Sequence, residues 1–436
     1  MKILMSAFSC GPDVGSEPGI GWNWALEAAR QGHTVHVLTQ TEYKREIETE
    51  IAAKRLPDGL TFEFFMPPWL ARLRDGGCRA GLEAITWQLV SPLWQIALLG
   101  HVRRRGLDRG FDFVHHITFG GIRHPTLLGR LDTPLVLGPL GGGERAPMPL
   151  RTSMPWRGWI KDLVRDLHTA TLRFDPITRN ACRRAAAIYA KTSASRDALL
   201  SVAASEVYVR REIGIWSVAK GLRPARPAGT ALRLLFAGQH VYWKGGHLAL
   251  RAVAAARRSG HDIRLTMVGS GPEADRWRRL ASDLGLDEAV EWRGQIPFQA
   301  MKAAYEEHDA FLYPSLHDSS GNVVLEALAR GLPVICLDLG GPGDIVTGEC
   351  GVVVGTGGRG EEDCVSALAR AIGALASSAS LVHRLSGGAL ERARQFLWPL
   401  VVSGLYEDVA RRLSRMPAVS SETSASREAV ALDMAR

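Results

Sequence analysis

A membrane-spanning helix needs ~18 or more consecutive apolar residues, and no stretch of this 436-residue sequence supplies them. The longest candidate, Thr86 to Gly100, is short and is interrupted by Gln88, Ser91, Pro92 and Gln95. Cysteine is sparse as well. Cys10, Cys78, Cys182, Cys336, Cys350 and Cys364 are scattered with no CxxC pair, so neither a zinc site nor a disulfide framework is suggested. There is no GxGxxG with a downstream acid for a dinucleotide and no GxxxxGK[ST] for a P-loop. No DxD or His/Cys cluster demands a metal. The opening MKILMSAFSCGPD places one lysine before six mostly apolar residues and then stops at Ser9 and Gly11-Pro12-Asp13. That is a poor export signal and reads as a first buried strand, so a reducing cytoplasm is the expected compartment.

What the chain does have is bulk and an uneven charge. With 46% hydrophobic and 22% charged residues it fits two or three globular domains with large cores. The formal net charge of +8 lies wholly in the first half: Lys and Arg outnumber Asp and Glu by 29 to 21 over residues 1–220 and match them at 24 beyond. Arginines at 72, 74, 79, 103, 104, 105 and 109 flank the apolar segment 82–100, which carries Trp87, Trp94 and Leu98-Leu99. This is either an Arg-rich solvated surface or the footprint of an anionic partner. No nucleic-acid-binding module accompanies it, so nucleic acid is not expected. The segment suits a helix lying in a membrane interface; the same spacing suits a helix facing the core.

Short β-rich runs alternate with helical segments, and the series occurs twice. Strands are predicted at Lys2–Phe8, Thr34–Thr39, Thr61–Phe65, Asp112–Ile117, Leu135–Leu137 and Ala187–Ala190. A second set follows at Arg233–Ala237, Arg264–Val268, Ala289–Arg293, Ala310–Tyr313, Pro333–Leu337 and Gly351–Val354. Helices are predicted between them, among them Trp22–Arg30, Arg123–Arg130, Trp159–Arg184 and Val323–Arg330. Such alternation implies α/β domains with mostly parallel, doubly wound sheets. The Pro- and Gly-containing stretch Ala219–Ala231 has no acidic residue and no periodicity, which makes it a linker. The expected organisation is a first domain over 1–218, a linker over 219–231, a second domain over 232–395, a closing helix over 396–415 and a disordered Ser/Ala/Glu-rich tail over 416–436.

Doubly wound sheets bind ligands beyond the carboxyl ends of their strands, and the residues there are suggestive. After the strand ending at Tyr313 comes Leu316-His317-Asp318-Ser319-Ser320-Gly321-Asn322, then a helix containing Val323 and Glu326. Two carboxylates bracket a loop of small residues that lets a ligand approach the backbone, and free amides at a helix start attract an anion such as a diphosphate. A carboxylate one turn into that helix can accept a vicinal diol. Taken singly, Asp318 reads better as an acidic loop residue and Glu326 as a satisfied helical glutamate.

Together the residues resemble a known pattern. Asp318 and Glu326, separated by seven residues and followed by Ala327-Leu328-Ala329-Arg330-Gly331-Leu332-Pro333-Val334, resemble the paired-acid signature of glycosyltransferase family 4, a retaining family of the GT-B superfamily. The first acid is usually Glu; here it is Asp. The run Gly238-Gln239-His240-Val241-Tyr242-Trp243-Lys244-Gly245 resembles the family's diphosphate loop, with Gln239 where an arginine is usual. Val268-Gly269-Ser270-Gly271-Pro272 and the strand end before Ile296 are similar to its nucleotide-side turns. In the first half, CGPDVGSEPGIGWN, with Gly15, Glu17, Gly19 and Gly21, resembles the glycine-rich loop that meets donor phosphate and acceptor. The wording SEPGIGWNWA is similar to a bacterial surface-polysaccharide subgroup. A histidine is usual near the reacting sugar. Alternation along the strand lets only one of His115 and His116 face the cleft, and His116 is the choice.

The resemblance implies a GT-B fold, two Rossmann-like domains facing across a cleft, and transfer of a sugar from a nucleoside-diphosphate sugar to a hydroxyl acceptor, lipid-linked or polysaccharide. It assigns His116, Asp318 and Lys244 to catalysis. Donor binding falls to Gly238, Gln239, Lys244, Gly269, Ile296, Ser320, Gly321, Asn322, Val323 and Glu326, and the acceptor and phosphate loop to Glu17, Gly19 and Gly21. It implies no metal and no cofactor beyond the substrate, with peripheral contact to the inner face of an anionic membrane. A nucleotide-sugar 2-epimerase would share the donor grip without an acceptor. A two-lobed solute-binding protein would share the shape, but it normally carries an export signal.

Overall fold

The computed structural model describes residues 1–415 except 80–82, 125, 223, 225 and 228; the tail over 416–436 lies outside the described residues. Two parallel sheets carry the fold. The first comprises β1 (Lys2–Ala7), β2 (Thr34–Thr39), β3 (Leu60–Phe64), β4 (Phe113–Thr118), β5 (Leu135–Leu140), β6 (Ala185–Ala190) and β7 (Val207–Val209), in the order β3-β2-β1-β4-β5-β6-β7. The second comprises β8 (Leu232–Ala237), β9 (Ile263–Val268), β10 (Val290–Gly294), β11 (Ala310–Tyr313), β12 (Val334–Leu337) and β13 (Gly351–Val354), in the order β10-β9-β8-β11-β12-β13. Helices cover both faces, so central strands are buried on both sides and read as unbroken apolar runs. All four residues of β11 and of β12 are buried.

In each sheet the strand order reverses beside the first strand, between β1 and β4 and between β8 and β11. Those switch points are where such sheets hold ligands. The loops leaving them carry Gly11–Glu17 and Phe119 in the first domain, and Gly238–Lys244 and Pro314–Gly321 in the second.

The helix Trp398–Leu413 follows the second domain but packs on the first. Trp24 and Tyr406 meet edge to face at 5.8 Å, and Tyr189 donates a 2.8 Å hydrogen bond to Asp408. Ile215 and Leu397 form an isolated bridge where the two crossings meet.

Three local expectations differ from the structure. Among the described residues of 123–130 the helical part is a single 3-10 turn, Leu128–Arg130, and the Thr126 hydroxyl accepts from the Leu128 amide at 3.1 Å. The long helix over 159–184 is two, Trp156–Ala170 and Pro176–Arg184, the second capped by Asp175 on the Ile177 amide at 3.0 Å. The apolar 82–100 segment belongs to the helix Glu83–Arg105, whose Val90, Trp94, Leu98, Leu99 and Val102 are buried in the first domain's core. The Trp94 indole N–H donates to the Phe65 carbonyl at 2.7 Å. Leu89 and Ile96 of the same helix remain exposed, and Arg105 at its end pairs with Glu63. Among the described residues, no single helix is long and apolar enough to cross a membrane.

Candidate active site

The loop after β8 is set by glycine. Gly245 has φ +75°, and a Cβ there would sit 1.9 Å from the Pro314 carbonyl oxygen. With Leu316 donating to the Trp243 carbonyl at 2.8 Å, this close approach binds the 241–245 turn to the segment leaving β11. The result is that Lys244 meets Asp318, Nζ to Oδ2 at 2.7 Å, with both side chains largely buried. Asp318 also accepts from the Tyr313 hydroxyl at 2.8 Å and from the Ser320 and Gly321 amides at 3.2 and 3.3 Å. Burial alone would raise the Asp318 carboxyl, but Lys244 and these donors outweigh it and hold it below the usual carboxylate range.

Gly321, at φ +75°, caps the helix Asn322–Ala329. The first amides bonded inside that helix are those of Val324 and Leu325, both to the Gly321 carbonyl. The Asn322 and Val323 amides are therefore the donors left at the positive end of the helix. One turn on, Glu326 accepts from the Tyr305 hydroxyl at 3.0 Å, and burial pushes its carboxyl upward. Gly238 and Gly269 bring the ends of β8 and β9 together: a Cβ on Gly269 would lie 1.9 Å from the Gly238 carbonyl oxygen. Gln239 is exposed and Ile296 is half-buried against the core.

The first domain meets this loop from the other side. At the end of β6 the buried Lys191 ammonium lies 3.1 Å from Glu212 and 3.4 Å from Glu17. Burial would lower it, but the two carboxylates outweigh burial and hold it above the ordinary lysine range. Glu17 also accepts from the Phe119 amide at 3.0 Å, and Ser320 donates to Glu212. A second clasp holds the loop at His317, whose Nε2 is 3.2 Å from Asp162; the Tyr242 hydroxyl donates to the same Asp162 oxygen at 2.7 Å. The loop Leu316–Gly321 is thus tied to the first domain at His317 and at Ser320.

Between the domains opens a cavity of about 500 Å3. Gly19 and Asn23 of the first domain line it, as do Asn322, Glu326 and Arg330 of the second, with Trp216 and Trp398 at the crossing. Gly21 packs beneath, where a Cβ would come within 2.3 Å of the Ser9 carbonyl oxygen. Lys244 and Asp318 sit beside this cavity rather than in its lining.

His115 and His116 do point to opposite faces of the sheet, but both are fully buried and neither lines the cavity. His115 lies 2.9 Å from the Tyr406 hydroxyl and 2.8 Å from the Gly138 carbonyl. His116 points into the other core, 3.5 Å from the Ser6 hydroxyl. Mid-strand positions in a sheet covered on both faces look at helices. The polar groups that do face the second domain, Lys191 and Glu212, carry no sequence signature: a lysine ending a strand and a glutamate in a loop look like surface.

Residues 231–378 match the family model described as Glycosyl transferases group 1. That match falls within the second domain and covers about a third of the chain. D-inositol 3-phosphate glycosyltransferase from Corynebacterium glutamicum strain R is 31% identical over 209 residues, 46% of this chain and 46% of that protein. The GDP-mannose-dependent alpha-(1-6)-phosphatidylinositol monomannoside mannosyltransferase of Mycolicibacterium smegmatis is 26% identical over 315 residues, 64% of this chain and 82% of that protein. The chain spans less than half the length of the inositol-phosphate relatives it matches. Sucrose-phosphate synthase from Thermosynechococcus elongatus superposes with a TM-score of 0.61 at 17% identity, over 95% of this chain and all of that one. The fold is GT-B: two Rossmann-like domains across a cleft.

Proposed function

We propose that this protein is a retaining glycosyltransferase of family 4 that moves a sugar from a nucleoside-diphosphate donor to a hydroxyl acceptor. The observation that carries this reading is the Lys244–Asp318 pair beside the open first turn of the Glu326 helix, inside a glycosyl transferases group 1 domain. Lys244 and the Asn322 and Val323 amides supply positive charge for a departing diphosphate. Glu326 accepts the ribose diol. Asp318, fixed by four donors, grips sugar hydroxyls. Glu17, Lys191 and Glu212 form the acceptor side, and closure of the two domains excludes water. The acceptor is lipid-linked or a growing polysaccharide, met at the cytoplasmic face of a membrane. No metal takes part in this scheme.

Calorimetric titration with UDP, GDP and ADP, followed by a donor-hydrolysis screen with the corresponding nucleotide-sugars, tests the reading. It requires one nucleoside diphosphate to bind and its sugar to be hydrolysed, with the released product keeping the donor's anomeric configuration by NMR. Activity should survive EDTA. No binding by any of the three nucleotides and no hydrolysis would overturn it.

A further inference from the structure

An amphipathic helix at a protein surface ordinarily turns its apolar stripe to the core. The helix Trp156–Ala170 does the reverse. Its inward side carries Gly158, Asp162, Asp166 and Thr169, while Trp156, Trp159, Ile160, Leu163, Val164 and Leu167 face outward along one arc. Trp156 is 68% exposed and Leu167 63%. Just beyond the helix end, Phe174 is 66% exposed. An outward apolar arc of this size marks a surface that is covered in use.

The charges around it identify the cover. Arg157 and Lys161 flank the arc on the helix itself, and Arg173 lies beside Phe174; the two arginines rest over aromatic rings at 5.3 and 4.7 Å. Among the described residues none of these three cations has a carboxylate partner. The acids of the region are turned inward and used: Asp162 on Tyr242 and His317, Asp166 on Arg151 at 2.7 Å. Tryptophan, aliphatic residues and unpaired cations on one outward face match the interface of an anionic bilayer, with rings at headgroup depth and cations on lipid phosphates. A second copy of the chain fits poorly, since a twofold contact would set these cations against themselves.

We propose that the outward face of the Trp156–Ala170 helix docks the protein on an anionic lipid surface. The proposal rests on this face alone and stands whether or not the chain transfers sugars. The same helix reaches the cleft from its inner side through Asp162, one contact from His317 and its neighbour Asp318, so the docked face and the loop Leu316–Gly321 are one helix thickness apart.

Sedimentation of the full chain with phosphatidylcholine vesicles, with and without phosphatidylglycerol, tests this at low and raised salt. The expected result is binding to the anionic vesicles that weakens as salt rises. Two double variants, I160E/L163E and R157E/K161E, change only exposed side chains and should each weaken binding at least about tenfold. The triple variant R103A/R104A/R105A, on the helix Glu83–Arg105, should bind as the parent does. Far-UV circular dichroism and nucleotide titration of each variant establish that it is folded, and they separate failure here from failure of the donor-binding reading. No binding to anionic vesicles, or binding that survives both double variants, would overturn the proposal. So would a concentration-dependent dimer in light scattering that I160E/L163E abolishes, because the face would then be covered by a second copy.

Discussion

Replacing Lys244 by alanine removes two things that can be measured apart. The first is a partner. Asp318 loses its 2.7 Å ion pair but keeps the Tyr313 hydroxyl and the two amides of Ser320 and Gly321. Stranding one member of a buried pair costs about 3–5 kcal/mol when nothing else solvates it. Three remaining donors, and a carboxylate still slightly exposed to water, reduce that to about 1–3 kcal/mol. The second is a cation facing a leaving diphosphate, worth about 10²–10³ in turnover by analogy with other preorganised donors. The double variant K244M/D318N separates the two effects. It removes both charges, so most of the stability should return while turnover stays low.

Urea unfolding reports the first effect and donor hydrolysis under saturating nucleotide-sugar the second. The reasoning requires K244A to lose stability and turnover together, and K244M/D318N to regain only stability. If K244A hydrolyses donor at the parental rate, Lys244 is a structural partner of Asp318 and has no part in the chemistry. If the double variant regains activity too, the effect of K244A came from the stranded carboxylate.

Other outcomes follow from the same geometry. E326A should weaken nucleoside-diphosphate binding by about 1–3 kcal/mol in calorimetry, while Y305F, which removes the donor on the other side of that carboxylate, should leave affinity nearly unchanged; equal affinities of E326A and parent would make Glu326 a partner of Tyr305 alone. K191M should destabilise the fold by about 3–5 kcal/mol in urea, because Glu212 is left buried beside Glu17; E17Q should cost much less, since Glu17 is partly exposed, and equal losses would contradict the assignment of Lys191 as the centre of the cluster. Acid should destabilise the protein in a defined window. Burial lowers His115 and His116 to about 4 from an ordinary 6.5, so the unfolded chain binds more protons between those values. Stability is complete above pH ~6.5 and falls as pH drops toward 4, by about 3 kcal/mol for each ring. Urea midpoints at pH 7.5, 6 and 5 should fall in that order, and an H115Q variant should show a shallower fall; a flat profile would contradict the buried neutral rings.

Much of the second domain was legible because its signals are local. Ala310–Tyr313 and Gly351–Val354 are short apolar runs closed by turn residues, and their spans match the structure residue for residue. Lys244 and Asp318 are 74 residues apart, yet each sits at a fixed offset from a strand end, and the parallel pairing of β8 with β11 brings those ends together. The helices that differ were ended by local contacts, Thr126 on the Leu128 amide and Asp175 on the Ile177 amide. Asp175-Pro176 was a readable stop inside 159–184, but the helical periodicity on both sides hid it. For His116, alternation gives the face of the sheet and says nothing of depth along the strand.

The two surfaces that most concern function in the first domain were hidden by the same kind of ambiguity. Lys191, Glu17 and Glu212 come from the end of one strand, the start of the first helix and a loop, and only folding makes them one cluster. The segments 82–100 and 156–170 each show apolar residues at helical spacing with arginines nearby, and sequence cannot say which face of either helix meets the core. The deciding feature is where the small and acidic residues fall. In Glu83–Arg105 the core is met by Val90, Trp94 and Leu98, so most of the apolar stripe is turned inside while Leu89 and Ile96 stay exposed. In Trp156–Ala170 the inner stripe is Gly158 and Asp162, because the helix must pack closely near Tyr242, whose ring lies 2.9 Å from where a Gly158 Cβ would be, and must supply a carboxylate to the loop bearing Asp318. A helix whose inner face is fixed by contact with the second domain has only its outer face left for apolar residues. The contact that closes the cleft and the exposed apolar arc are therefore two sides of one constraint, and a substitution such as G158L, which blocks the inner contact, should open the Asp162–Tyr242 clasp while leaving the outer face chemically intact.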